Sequence, residues 1–299
     1  ASERSHMYTI DGVPLSDPYR RWTVHRSTER RTPAAFRTVD VTVPGVDGSV
    51  PIYGEQVEST ALNLTVNIYG KGDQLDERVN FMRGLLGKTH GPIIVSKRES
   101  GRTLTAKAKP AAISEPVSTG VYVQLTAVLT VSSGTWRGPV ETWEHPEPTS
   151  TEAVATPIRS SRPITDSLIL ITGPANSPVV EDAATGATVQ YTGNVEAGDS
   201  LLIDCAEWRA AIGSSGSVSW GTTWHNATVD IDNTGAYSDV TLLSLTPVMS
   251  GQSWDSRGEG VQIVPALGDG LAFTPRIIFR ASGIDANTRV QVQAQGSFL

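Results

Sequence analysis

Several features that would mark common classes of protein are missing from this sequence of 299 residues. It contains one cysteine, Cys205, which excludes an intramolecular disulfide framework and any zinc or iron–sulfur site built from several cysteines. No run approaches the roughly 18 uninterrupted apolar residues of a transmembrane helix. No apolar signal-peptide core stands near the start, so we expect no secretion by that route. With 18% charged and 38% hydrophobic residues, the chain can still build a packed core.

The motifs of common catalytic and cofactor sites are also missing or broken. Residues 84–89 end like a phosphate-binding loop, but Met82 stands where that motif needs its first glycine. Residues 230–235 begin like a calcium loop, but Thr241 occupies the twelfth position, which requires a glutamate. The histidines lack metal-binding spacing, and no Gly-x-Ser-x-Gly elbow is present. We therefore predict no catalytic, cofactor-binding or metal-binding residues and no enzyme activity. A hydrolase with paired carboxylates stays open, because acidic residues are plentiful and none stands out.

Charge is distributed unevenly along the chain. Up to Ser132 there are 16 basic and 13 acidic residues, a net charge of +3, whereas the remainder has 8 and 18, a net charge of −10. This asymmetry supports two domains of different character. Seven arginines fall between Arg4 and Arg37, but acidic residues are interspersed among them. We interpret this segment as a solvated or subunit-facing surface, because a nucleic-acid reader normally shows a denser basic footprint.

The first part of the chain, residues 1–132, has the pattern of a β-domain with one helix. Residues 37–43, 62–68 and 121–131 alternate between apolar and polar, which is typical of half-buried strands, and residues 103–109 do so more weakly. Between these strands, four apolar residues at helical spacing predict one helix, with Asp73 as its N-cap and Gly87 at its end. The stripe consists of Leu75, Val79, Met82 and Leu86.

The rest of the chain divides into a connector and an all-β domain. Residues 133–162 lose periodicity and are punctuated by proline, which predicts an extended connector. Trp136 and Trp143 are unusual in a free linker, so we expect part of it to dock on a surface. From residue 163 to 299, short apolar runs alternate with turn signals, which favours a β-sandwich of jelly-roll or galectin-like type.

Three tryptophans of the second domain are candidates for stacking on sugar rings: Trp220, Trp224 and Trp254. Exposed aromatic rings on a β-sandwich can bind glycans in this way. Packing in the core or between sheets is the alternative interpretation, and the sequence favours it.

The order of these segments resembles the distal tail protein, the Dit-type minor tail protein, of long-tailed bacteriophages (siphophages). The resemblance begins with a hairpin at residues 8–15, a Val-rich strand, and a Pro-Gly-x-Asp-Gly turn. The strand at 62–69 and the predicted helix follow. In the second part it rests on Arg162-Pro-Ile, on residues 173–180 and on residues 198–204. The residues of the turn are Pro44, Gly45, Val46, Asp47 and Gly48.

This resemblance implies a fold and a role. The first domain would be a split β-barrel of the tail-tube type, and the second would resemble galectins or carbohydrate modules. Copies would form a hexameric ring at the distal end of the tail, assembled in the host cytoplasm, with no cofactor and no membrane association. The partners would be the tail tube protein and tip, hub or receptor-binding proteins, and DNA would pass through the ring.

Two expectations complete this interpretation. Residues 44–48 and the following segment, 49–59, are the candidates for contact with a neighbouring subunit, because open sheet edges need a partner and a ring supplies one. The alternative function is a carbohydrate-binding module that recognises host cell-surface polysaccharide through the second domain.

Overall fold

The computed structural model divides the chain into two compact units, Ala1–Gly138 with Phe298–Leu299, and Pro139–Ser297. The structure describes residues 8–26, 28, 36–42, 49–99, 101–162, 164, 166–183, 188–191, 193–205, 209–215, 218, 240–244, 265–267 and 273–298. The prediction of a mainly β chain with one helix is confirmed for these residues.

The first unit is built on antiparallel strands. Their spatial order is β2-β1-β7-β8-β9-β6-β3, and β4 pairs with β5 alone. In chain order the elements are β1 (Tyr8–Ile10), β2 (Val13–Pro14), β3 (Trp22–Val24), β4 (Phe36–Thr42), β5 (Ser49–Val57), β6 (Thr60–Tyr69), α1 (Asp73–Leu86), β7 (Ile93–Glu99), β8 (Arg102–Ser118), β9 (Tyr122–Val131) and the start of β10 (Trp136–Glu144).

Alternating burial explains how this sheet forms. In β6 the residues at every second position from Leu62 to Ile68 are buried, and β9 alternates in the same way. The ten-residue ladder from Thr60↔Val131 to Tyr69↔Tyr122 keeps the apolar residues of both strands on one face. That face forms a single core together with α1, β7 and the first half of β8.

Helix α1 covers this apolar face. The predicted stripe of Leu75, Val79, Met82 and Leu86 is buried, and the helix ends before Gly87 as expected. The predicted N-cap was wrong, because Gly72 occupies that position with φ 52° and no side chain caps the helix. A positive φ is easiest for glycine, so Gly72 makes the turn into the helix and Asp73 becomes its first residue.

Strand β8 pairs with three neighbours, one of which is β10, through Arg137↔Thr105. Its first half pairs with β7 from Arg102 to Ala108, and its second half pairs with β9 as far as Ser118. The second ladder shifts register twice, next to Pro110 and next to Pro116. No strand of the described residues pairs with the other edge of this second half.

The second unit contains two antiparallel sheets. One has the order β18-β17-β16-β12-β21, and the other has the order β11-β20-β13-β14 with β15 and β19 attached to β13 and β20. Side chains of both sheets form one buried cluster. The strands are β11 (Val154–Ala155), β12 (Leu168–Thr172), β13 (Ala175–Asp182), β14 (Thr188–Gln190), β15 (Asn194–Val195), β16 (Asp199–Asp204), β17 (Arg209–Ser214), β18 (Val240–Ser244), β19 (Pro265–Leu267), β20 (Phe273–Ser282) and β21 (Arg289–Phe298).

The segment expected to be a connector contains a strand, since β10 spans nine of its residues. Trp136 is 1% exposed within the core of the first unit, and Trp143 packs against the core of the second. Both tryptophans are therefore structural anchors, as their presence in a proline-rich stretch suggested.

Candidate assembly surfaces of the first unit

The residues predicted to act in assembly or sugar binding lie outside the described part of the chain. They are Pro44, Gly45, Val46, Asp47 and Gly48 in the predicted turn, and Trp220, Trp224 and Trp254 in the second unit. Both sets stay predictions. The structure does describe the two strands that flank the turn.

These flanking strands form a hairpin of their own. The register pairs Thr42 with Ser49 next to the turn and continues to Phe36↔Val57, with one irregularity. Neither β4 nor β5 pairs with another strand of the described residues. A two-stranded hairpin by itself is only marginally stable in water.

A tight polar contact organises the loop between β2 and β3. The Arg21 guanidinium donates to the Asp17 carboxylate from Nε to Oδ2 at 3.0 Å and from Nη2 to Oδ1 at 2.8 Å. The backbone N–H of Arg21 also donates to Oδ2, at 3.0 Å. The side-chain hydrogen bond from Arg21 lowers the pKa of Asp17 to about 2. The carboxylate is therefore ionised at neutral pH and fixes the loop.

This loop and α1 form what we call the aromatic groove, a groove of about 760 Å³. The Arg21 guanidinium lies 4.7 Å from the centre of the Trp22 ring and 5.6 Å from that of Tyr19. Trp22 stacks on Phe81 with ring centres 5.6 Å apart, and its Nε1–H donates to the carbonyl oxygen of Pro14 at 3.0 Å. Tyr19 is 81% exposed and Phe81 48%, so two of the three rings offer apolar surface to a partner.

Glu77, near the start of α1, lines the aromatic groove, and so does Arg78. Asp73, Asp76 and Glu77 are exposed in the first part of α1, and we call them the acidic helix start. The helix dipole favours negative charge at this end. None of the three makes an ion pair with a described residue. Their charge is therefore available to a partner.

A surface of opposite charge lies on the sheet. The register places Ile94 opposite Lys107 and Arg98 opposite Thr103, so these residues share one face of β7 and β8. We call Ile94, Arg98, Lys107 and Lys109 the basic sheet face; all four are exposed, Ile94 by 37%. No ion pair to another described residue involves its three cations. By contrast, Lys97 points to the core side, 5.4 Å from the ring centre of Tyr8, and pairs with Glu99 at 3.3 Å.

A third surface is polar but uncharged. Strands β3, β6 and β9 contain no charged residue at all. On the side facing away from the core, Thr65 and Thr126 share a hydrogen bond of 3.2 Å, and the Gln124 amide donates to Asn67 at 3.2 Å. We call this side of the three strands the neutral sheet face.

In the second unit, one buried titratable group stands out. His145 is 2% exposed, its Nδ1 accepts the backbone N–H of Glu147 at 3.2 Å, and its Nε2 has no hydrogen-bond partner. The Trp143 ring lies 5.5 Å away. Burial lowers the pKa of His145, because the charged imidazolium is poorly solvated there.

Two further kinds of feature, a metal-binding cluster and a membrane-spanning helix, are missing from the described residues. These residues include no group of three or more potential metal ligands. None of their helices is both long and apolar enough to cross a membrane. What the described part of the first unit offers instead is a set of surfaces suited to association.

The aromatic groove was not predicted from the sequence, although one signal for it was present. Phe81 falls outside the apolar stripe of α1, so an aromatic ring on the solvent side of the helix was foreseeable. The contact of Arg21 with Asp17 and Trp22 depends on the conformation of an irregular loop, which no periodic pattern reveals.

No protein-family model and no curated protein sequence matches this chain. Among solved structures, the chain is similar to the SPP1 Dit protein (gp 19.1), described as a paradigm of the hub adsorption apparatus in Gram-positive infecting phages. The TM-score is 0.55 at 15% identity, and the match covers 98% of this chain and 99% of that chain.

Two structures of the phage P2 baseplate in its activated conformation, with Ca and with Sr, give TM-scores of 0.40 and 0.38 at 10% identity. These matches cover 97% of this chain in each case, and 98% and 97% of those chains. Their scores are too low to establish a shared fold. The SPP1 Dit match does establish one, and the predicted resemblance is confirmed at the level of the fold.

Proposed function

We propose that this chain is a structural, non-enzymatic component of a phage tail tip. In this role, six copies form a ring at the distal end of the tail, join the tail tube to the tip, and anchor tip or receptor-binding proteins. The observation that carries the proposal is the fold shared with SPP1 Dit over nearly the full length of both chains. A match of this extent includes both units, so it is not a common β-domain alone.

The surfaces of the first unit support a role in assembly. The β4–β5 hairpin pairs with no other described strand. The aromatic groove leaves Tyr19 and Phe81 exposed. A monomer that works alone gains nothing from such features, whereas a subunit buries them on contact with a neighbour.

The neutral sheet face fits the wall of a passage for DNA. Phosphates bind to lysine and arginine and are repelled by carboxylates, so a wall with neither lets a polyanion move without being held. Thr126, Gln124 and Asn67 contribute uncharged hydroxyl and amide groups to this surface. We place this face toward the channel of the proposed ring.

The proposal is tested by the mass and shape of the purified full-length protein. Light scattering should find a species near six times the chain mass of 31.8 kDa, and negative-stain imaging should show rings with an open centre. The same measurement should be repeated with purified tail tubes, because assembly on a template would also satisfy the proposal. Protein that stays monomeric alone and fails to bind tubes would count against it.

The turn between β4 and β5 has its own test. We propose that it reaches a neighbouring subunit, so replacing Gly45 and Gly48 by Val should impair ring formation. Gly84→Val is a suitable control, because Gly84 lies in α1 with open space around it. Intact rings from the Gly45→Val/Gly48→Val variant would show that this turn is dispensable for assembly.

A further inference from the structure

We propose that the aromatic groove and the acidic helix start of one copy bind the basic sheet face of the next copy, head to tail. This inference rests on the proposed ring and names the contact that would close it. The two surfaces belong to the same chain, so every copy carries both halves of the contact.

Charge complementarity is the first argument. The acidic helix start presents Asp73, Asp76 and Glu77, and the basic sheet face presents three cations. All six side chains are exposed and lack ion pairs among the described residues. Unpaired charges of opposite sign, three on each surface, favour and orient an encounter between copies.

The second argument is that one copy cannot join its own two surfaces. Helix α1 packs on the core side of the sheet, where Ile93, Val95 and Ala106 are buried with it. The basic sheet face is the opposite side of β7 and β8, because residues alternate between the two sides of a strand. The core of the unit therefore lies between the acidic and the basic surfaces, and only a second copy can bring them together.

Apolar contacts supply the third argument. Phe81 and Tyr19 stand exposed in the aromatic groove, which Glu77 of the acidic helix start also lines, and Ile94 stands exposed among the cations of the basic sheet face. Each surface thus has an apolar centre flanked by charge. This is the usual anatomy of a specific interface, in which aromatic residues provide contact area and charges at the rim set the register.

The resulting interface is heterologous, since a different surface of each copy takes part. Such an interface generates a ring when the rotation between neighbours closes, and an open filament when it does not. The geometry of this contact would therefore decide the closure of the proposed ring. It also permits an experiment that a symmetric, two-fold interface would not.

The experiment uses two full-length variants with reversed charge. The acid-reversed variant is Asp76→Lys/Glu77→Lys, and the base-reversed variant is Lys107→Glu/Lys109→Glu. Each variant alone brings like charges together at every contact, so assembly should require at least tenfold more protein at roughly 0.01–0.1 M salt, where screening is weak. Mixed in equal amounts, the two variants restore opposite charges at every contact of an alternating ring, and assembly should return.

A matched control separates this effect from a change in net charge or in folding. Glu152→Lys/Glu196→Lys reverses two exposed acidic residues of the second unit and should assemble like the original chain. Thermal unfolding of all variants should stay near that of the original chain. Light scattering and negative-stain imaging then report assembly for the variants alone, for the mixture and for the control.

The outcomes distinguish this contact from the proposed function. Rings that form equally well from both variants alone would overturn the contact and leave the ring proposal intact. Open oligomers that are lost in each variant alone and restored in the mixture would support the contact and count against the ring. The contact would be overturned if the original chain stays monomeric at every concentration. It would also be overturned if the base-reversed variant assembles normally and loses only DNA binding, measured by filter binding.

Discussion

The Asp17 carboxylate holds the Arg21 guanidinium in a two-pronged hydrogen bond while that same guanidinium lies 4.7 Å from the centre of the Trp22 ring. Arg21 thereby joins a buried carboxylate to the wall of the aromatic groove. Planar stacking and forked hydrogen bonding are both specific to arginine, and lysine offers neither. The shape of the groove consequently depends on this one polar contact.

Replacement of Asp17 by Asn should loosen the loop and lower the free energy of unfolding by about 1–2 kcal/mol, because a charge-assisted hydrogen bond is lost. Urea unfolding followed by tryptophan fluorescence measures this. Glu58→Gln, which removes an exposed carboxylate outside the helix, is the control and should change stability by less than about 0.5 kcal/mol. Equal effects of the two substitutions would argue against the structural role of Asp17.

The Asp17–Arg21 pair also predicts how the free energy of unfolding changes in acid. The pKa of Asp17 is lowered from 3.8 to about 2 in the fold, so its contribution is fully present above about pH 4 and is lost as the pH falls toward 2. The stability difference between the original chain and Asp17→Asn should shrink over that window. Acid titration of both proteins in urea checks this, and a constant difference would contradict it.

A substitution of Phe81 by Ala should separate assembly from stability. The side chain is half exposed and stacked on Trp22, so its loss should cost less than about 1.5 kcal/mol of stability but should weaken assembly. Its neighbour Met82 is fully buried, and Met82→Ala should cost about 2–5 kcal/mol. Unchanged assembly of Phe81→Ala would remove the aromatic groove from the proposed contact.

Burial of His145 predicts a loss of stability in mild acid. Its folded pKa lies below the ordinary value of 6.5, so the unfolded chain binds more protons once the pH falls below about 6.5. The free energy of unfolding of the second unit should therefore decrease as the pH falls from about 6.5. His145→Gln should flatten this dependence, and Thr151→Gln, at a nearby exposed position, should not. Identical pH profiles for all three proteins would contradict the prediction.

The neutral sheet face predicts how added charge affects DNA. Asn67→Lys/Gln124→Lys places two cations on this face and should increase retention of DNA by assembled protein, with steep salt dependence. The Glu152→Lys/Glu196→Lys protein adds the same number of lysines elsewhere and should retain less DNA. Equal retention by the two would mean that this face does not line the passage. Filter binding at several salt concentrations is the measurement.

The fold was foreseeable wherever a periodic pattern controls it. The apolar stripe of α1 predicted the helix; it consists of Leu75, Val79, Met82 and Leu86. Alternation in β6 and β9 predicted the strands of the central ladder, because burial of one face selects the register. The strand around Pro139 was missed, since proline and charge conceal its alternation. Its anchor, Trp136, was still recognisable as a residue that a free linker would not keep exposed.

The candidate surfaces were less foreseeable, for a physical reason. The aromatic groove joins the loop that carries Tyr19 and Arg21 to Phe81, about sixty residues further along the chain. The basic sheet face arises only once Ile94 and Lys107 are paired across two strands. Both depend on tertiary register, whereas patterning in sequence reports only whether a residue faces the core.

The second half of β8 has a consequence for chains awaiting assembly. Its outer edge pairs with no described strand, yet Pro110 and Pro116 lack the N–H groups that an added strand would need, and the ladder is irregular beside both. Freshly made copies crowded together are thereby discouraged from growing into fibrils along this edge. Recognition between copies therefore depends on contacts between side chains, which form and dissociate reversibly until the correct neighbour binds.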